Sequence, residues 1–115
     1  MTIDEHSHGP VIVLVPHGRL SVETFGDLKT HVQQVTNTGC RQLVLNLQFV
    51  GYVDSIGVAE LVRSHVILDN HEGRLALSDL NPTVTELLEL TRLSAVLDTY
   101  PTEMEALQSF ASDRT

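Results

Sequence analysis

A serine stands at the head of a helix-like segment in the run Tyr52-Val53-Asp54-Ser55-Ile56-Gly57, which follows the strand-like Leu43-Val44-Leu45-Asn46-Leu47 and precedes a helix opening at Val58. A hydroxyl at that place can cap free backbone N–H groups. A phosphate carried on Ser55 would sit where those groups and the helix dipole favour negative charge. Asp54 is equally suited to capping, and could also orient the serine hydroxyl. Hydrolase chemistry lacks its surroundings. The G-x-S-x-G elbow has Val53 where its first glycine belongs, and no oxyanion loop or ordered histidine partner follows. A phosphate-cradling G-x-x-x-x-G-K-[ST] run is absent as well. The run suits a switch better than a catalyst.

Other reactive side chains are more scattered. Six histidines, His6, His8, His17, His31, His65 and His71, raise the question of a metal, and His6-x-His8 puts two imidazoles on one side of an extended chain. Zinc usually takes three or four ligands, and neither cysteine pairs nor H-E-x-x-H complete a set, so the sequence assigns no metal and no cofactor. The single cysteine, Cys40, has no neighbouring histidine to activate it and reads as a small residue after a helix end. It cannot form an internal disulfide, which agrees with a reducing compartment. No pair of carboxylates can be assigned the opposed environments that separate a general acid from a general base. An enzyme is not expected.

The elements that position these residues follow from spacing and punctuation. Ile3 to His6 reads as a short strand, Ser7-His8-Gly9 as a turn, and Val11 to Val15 as a buried strand between Pro10 and Pro16, the two strands forming a hairpin. Phe25, Leu28, Val32 and Val35 recur at helical spacing, with Ser21 as N-cap and Gly39 as stop, predicting a helix over about 23 to 38. After the strand at 43 to 47 and the Asp54-Ser55 turn, a second helix should end near Gly73. Leu75 to Leu77 gives another strand. Asn81-Pro82 marks a helix start, since Asn caps and Pro suits the first helical position; Val84, Leu87, Leu88 and Thr91 continue its stripe. Val96 to Tyr100 suggests a last strand. Pro101-Thr102 opens a final helix whose inner face should carry Met104, Leu107 and Phe110 or Ala111. Alternating strands and helices imply an α/β fold with a mixed, mostly parallel sheet of about five strands, an N-terminal antiparallel pair and about four helices.

Composition narrows the function classes. The 115 residues, 42% of them hydrophobic, read as one domain spanning 1 to 115. Such a chain buries roughly two-thirds of the surface exposed when unfolded. Seven Lys and Arg against 15 Asp and Glu give a net charge of −8, which disfavours direct binding to nucleic acid or anionic lipid. A large partner should present basic groups. The longest clean apolar run, Val11 to Val15, is far short of the roughly 20 residues that cross a bilayer, and Met1-Thr2-Ile3-Asp4-Glu5 lacks a basic region followed by an apolar one. A cytoplasmic protein without membrane insertion is the expectation.

On a helical wheel of the second helix, Val58, Leu61, Val62, His65, Val66 and Leu68 cluster on one side, which should be core. Ile56, Glu60, Arg63 and Ile67 fall opposite, bridged by a Glu60–Arg63 pair, and make a small mixed patch that a partner protein can cover. The alternative is that single surface apolar residues are ordinary and Ile56 tucks under the preceding loop.

With these residues on the page, the chain resembles the STAS domains, and most nearly the single-domain bacterial anti-sigma-factor antagonists. The likeness runs through Gly18-Arg19-Leu20, Leu43-Val44-Leu45-Asn46-Leu47, Tyr52-Val53-Asp54-Ser55-Ile56-Gly57, Asn81-Pro82-Thr83-Val84, Leu87-Leu88-Glu89-Leu90-Thr91 and Glu105-Ala106-Leu107. The D-S-x-G element is its specific part. The resemblance implies a protein that binds a serine-kinase anti-sigma factor and frees the sigma factor. It would be inactivated by phosphorylation at Ser55 and reset by a phosphatase acting on phospho-Ser55. The expected partner surface joins the outward stripe Ile56, Glu60, Arg63 and Ile67 to Asp54, Ser55 and Gly57 of the motif and to Ser21. Three positions depart from the family pattern. Ser21 stands where an acidic residue is common after G-x-L, Ile56 where Ser or Thr often follows the phosphorylated serine, and Arg92 where a glycine often precedes the last strand. The same motif also fits a stressosome-type scaffold subunit, and the fold also serves as an accessory domain for small ligands or lipid transport.

Overall fold

Two strands joined by a tight turn begin the chain: β1 (Thr2–His8) and β2 (Val11–Leu20) pair antiparallel, with His6 opposite Val13 and His8 opposite Val11. Both outrun the expected strands, so Ser7 and His8 belong to β1 rather than to the turn. The computed structural model describes residues 1–112. The remaining strands are β3 (Gln42–Asn46), β4 (Val50–Val53), β5 (Arg74–Ser78) and β6 (Asp98–Tyr100), and the helices are α1 (Asp27–Asn37), α2 (Ser55–Asn70), α3 (Pro82–Leu90) and α4 (Glu103–Ser112). The sheet order is β1-β2-β3-β5-β6, parallel throughout except for the β1–β2 pair. The expected mixed α/β architecture is therefore present, with six strands rather than five.

The added strand is β4, and it positions the site. β2 is long enough to serve two neighbours in turn: Val11 to Leu14 pair with β3, and Gly18 to Leu20 pair with β4. Both pairings are parallel. The sequence does not announce β4, because Val50-Gly51-Tyr52-Val53 is short and contains a glycine, and its partner is the far half of a strand whose apolar run ends at Val15.

Successive residues of β2 serve opposite faces of the sheet. Leu14 joins Leu43, Leu45, Leu75 and Leu77 under α1 and α2, whereas Val11, Val13, Val15, Val44 and Ala76 pack under Ala106 and Phe110 of α4. Helix ends follow their capping residues. Asn81 caps α3 through Oδ1, which accepts from the Val84 N–H at 2.9 Å, with Pro82 at the first position as expected.

Helices α1 and α4 depart from their expected course. The stretch read as one helix from 23 to 38 is broken at Gly26, whose φ of 92° is left-handed, so Val22–Thr24 forms a separate 3-10 turn and Phe25 is exposed. Ser21 caps that turn rather than α1. In α4 the inner positions are Ala106 and Phe110, while Met104 and Ala111 face out. Glu103 sets this phase by turning inward to Asn46, and residues three and seven positions on share its face. No helix among the described residues is long and apolar enough to cross a membrane.

Candidate functional site

The ends of β2 and β4 lie side by side, Leu20 opposite Val53, and the Asp54 N–H donates to the Leu20 carbonyl at 3.1 Å. From there the two segments part, one into the 3-10 turn at Val22 and the other into α2. The Asp54 carboxylate ties both departures together. Its Oδ1 accepts from the Gly57 N–H at 2.9 Å, capping α2, and its Oδ2 accepts from the Val22 N–H at 3.4 Å. Asp54 has the extended backbone a cap requires, with φ −100° and ψ −173°. Ser55 is the first residue of the helix itself, with its side chain exposed. Capping therefore belongs to Asp54, and the Ser55 hydroxyl stands at the surface.

Gly57 is buried against β2. A Cβ there would run into the Leu20 carbonyl, so glycine is what lets the first turn of α2 sit on the strand end. Ser21, 3% exposed, uses its Oγ to accept from the Glu23 N–H at 3.3 Å. Both residues were expected on a partner surface; both are committed to local structure.

The outward stripe of α2 needs a larger correction. Glu60 is 0% exposed, and its Oε2 accepts from the N–H groups of Gly26 and Lys29, each at 3.1 Å. These are donors at the start of α1, where Gly26 has no side chain to cap them. The expected Glu60–Arg63 pair does not form, because Glu60 turns inward and the Arg63 guanidinium lies 6.0 Å from the centre of the Phe25 ring. Ile67 is half-buried and packs on the core, while Val66, expected inside, is exposed. Ser64 is buried, its hydroxyl donating to the Glu60 carbonyl at 2.9 Å. Apolar residues surround α2, so its sequence defines the phase weakly, and two buried polar side chains rotate it from the expected one.

Residues 22 to 26 run along the first turns of α2, held at Asp54, Arg63 and Glu60 in succession. Exposed apolar groups line this segment and the helix start: Val22 at 66% and Ile56 at 37% exposure near Ser55, and Phe25 at 54% further along beside Arg63. Val22 and Phe25 were not expected there. Their signal was the Ser21-x-x-Thr24 spacing, which forms a reciprocal capping box and detaches this segment from α1. Cys40 is buried, its thiol donating to the Gln42 carbonyl at 3.4 Å, and burial pushes its pKa up, which disfavours the thiolate.

Comparison with known proteins places this arrangement among relatives. The STAS domain model matches residues 2–106. The anti-sigma F factor antagonist of Paenibacillus polymyxa is 27% identical over 104 residues, covering 90% of this chain and 88% of that protein. Among solved structures, an anti-sigma factor antagonist from Mycobacterium paratuberculosis superposes with a TM-score of 0.84 at 24% identity, covering 94% of this chain and 92% of that one. The Bacillus cell fate determinant SpoIIAA in its phosphorylated form gives a TM-score of 0.71 at 18% identity, covering 95% and 99%. These two structural likenesses concern the fold.

Proposed function

Because the chain belongs to the STAS domain family, we propose that it is an anti-sigma-factor antagonist: a single-domain protein that binds a serine-kinase anti-sigma factor and is released when that kinase phosphorylates Ser55. The observation that carries this reading is the exposed hydroxyl of Ser55 at the first position of α2, left unburdened because Asp54 supplies the cap. The name of the Paenibacillus relative supports the same partner class.

The geometry suggests how such a switch operates. Val22, Phe25 and Ile56 supply apolar contact and Arg63 a charged one, while Gly57, Ser21 and Glu60 hold the surface in shape from beneath. A phosphate on Ser55 gains the favourable end of the helix dipole but stands beside the Asp54 carboxylate. It is held without unwinding α2. Binding is then lost through added charge and bulk beside the apolar groups Val22 and Ile56, and a phosphatase that removes the group restores it.

Incubation with serine-kinase anti-sigma factors from the same cell and ATP, followed by phosphosite mapping, tests the proposal. The expected result is a single phosphate on Ser55 and no stable complex with the Ser55→Asp variant. Phosphate confined to other residues, or equal binding by wild type and Ser55→Asp, would overturn it.

A further inference from the structure

His6-x-His8 alone is too few ligands for the sequence to assign a metal, and the fold brings a third candidate ligand from the far end of the chain. The two histidines occupy alternate positions of β1, an edge strand, on the sheet face that carries α4. Glu103, the first residue of α4, reaches the same place. Its Oε2 lies 3.3 Å from His6 Nε2 and 4.0 Å from His8 Nε2, and the three ligand atoms fall within 4.8 Å of one another. We propose that His6, His8 and Glu103 form a binding site for a divalent first-row transition-metal ion of the zinc class.

The donor set and its support both fit such an ion. Two imidazoles and one carboxylate are ligands zinc accepts, and three protein ligands leave a fourth position open to solvent. Metal–ligand bonds of about 2.0–2.2 Å put tetrahedral ligand atoms roughly 3.4 Å apart, so the His6–Glu103 pair already has the required spacing. The widest pair must close by about 1.4 Å, within reach of a χ rotation of the exposed imidazoles. Glu103 is also oriented from behind. Its Oε1 accepts from Asn46 Nδ2 at 2.9 Å, and Asn46 is buried and fixed in turn by accepting from the Gln48 N–H at 3.0 Å. A hydrogen-bonded carboxylate of this kind is the usual outer support of a metal ligand. The chain's other histidine–carboxylate pairs, His17 with Asp4 and His31 with Glu5, join no such group of three among the described residues.

An ion at this site would fasten the first strand to the last helix, joining residues 97 apart in sequence. The test is calorimetric titration of tag-free, chelator-stripped protein with zinc chloride, alongside thermal melts and the visible spectrum with cobalt(II). One equivalent of zinc should bind and raise the Tm, and cobalt should give the d–d bands of a low-symmetry site. His6→Gln, His8→Gln and Glu103→Gln should each weaken zinc binding by about tenfold or more, while His31→Gln should leave it unchanged. All four side chains lie at or near the surface, and a melt of each variant without metal verifies folding. Zinc binding that survives both His6→Gln and His8→Gln, or no binding below millimolar zinc, would overturn the proposal and leave the two imidazoles as ordinary ion-pair partners of Glu103.

Discussion

Glu60, on α2, closes the N-terminus of α1 in place of the side chain that Gly26 lacks, its carboxylate accepting from the Gly26 N–H at 3.1 Å and from Lys29 at the same distance. The two helices are thus joined by a buried charge–dipole contact beneath the candidate partner surface. Removing it strands two donors in a buried place. Glu60→Ala should therefore cost about 3 kcal/mol, and Glu60→Gln, which keeps an acceptor, about 1 kcal/mol. Urea denaturation of the three proteins measures the order. A neutral Glu60→Ala would show that solvent satisfies these donors.

Capping and phosphorylation should separate cleanly at the neighbouring residues. Ser55→Ala removes an exposed hydroxyl that caps nothing, so its stability should stay within about 0.5 kcal/mol of wild type while phosphorylation is lost. Asp54→Ala removes the cap and the tie to Val22, at about 1 to 2 kcal/mol. Denaturation curves of both variants, with phosphate incorporation measured on each, decide this.

Surface and core positions on α2 should part in the same way. Ile56→Glu and Arg63→Glu should weaken partner binding with stability changes within about 0.5 kcal/mol, whereas Leu61→Ala should cost about 2 to 5 kcal/mol. Ile67→Glu falls with the core group because Ile67 packs on it. Titration calorimetry against the kinase, with denaturation of each variant, sorts the four.

Arg92 occupies the left-handed region at φ 62°, the position where the family pattern often has glycine. An L side chain is disfavoured in that conformation. Arg92→Gly should raise stability by about 0.5 to 1 kcal/mol after the greater freedom of an unfolded glycine is offset. A thermal melt that falls instead would mean that the arginine side chain contributes contacts of comparable size.

Much of the architecture is readable from local patterns. The hairpin, the apolar strands and the Asn81-Pro82 start each depend on residues near one another in sequence, and each is present, although both hairpin strands run longer than the spacing predicts. The Asp54-Ser55 turn is readable for the same reason. What escapes is decided by contacts with distant chain. β4 exists because β2 extends past β3, Glu60 turns inward because α1 needs an acceptor 31 and 34 residues away, and Phe25 is exposed because a left-handed Gly26 ends one helix before another begins. His6-x-His8 supplies two members of a cluster whose third lies on α4.

The close approach of Gly57 to the Leu20 carbonyl gives the serine and the glycine of D-S-x-G different meanings. The glycine answers to steric fit, and a chain that has lost all regulation must still retain it to keep α2 seated. The serine has no such steric duty, and under the proposed function it answers to chemistry done by a partner kinase. If that proposal holds, glycine without serine in a set of related sequences would mark members that keep the shape but have been disconnected from the kinase, and the pair of positions would read as an inexpensive census of which copies still listen.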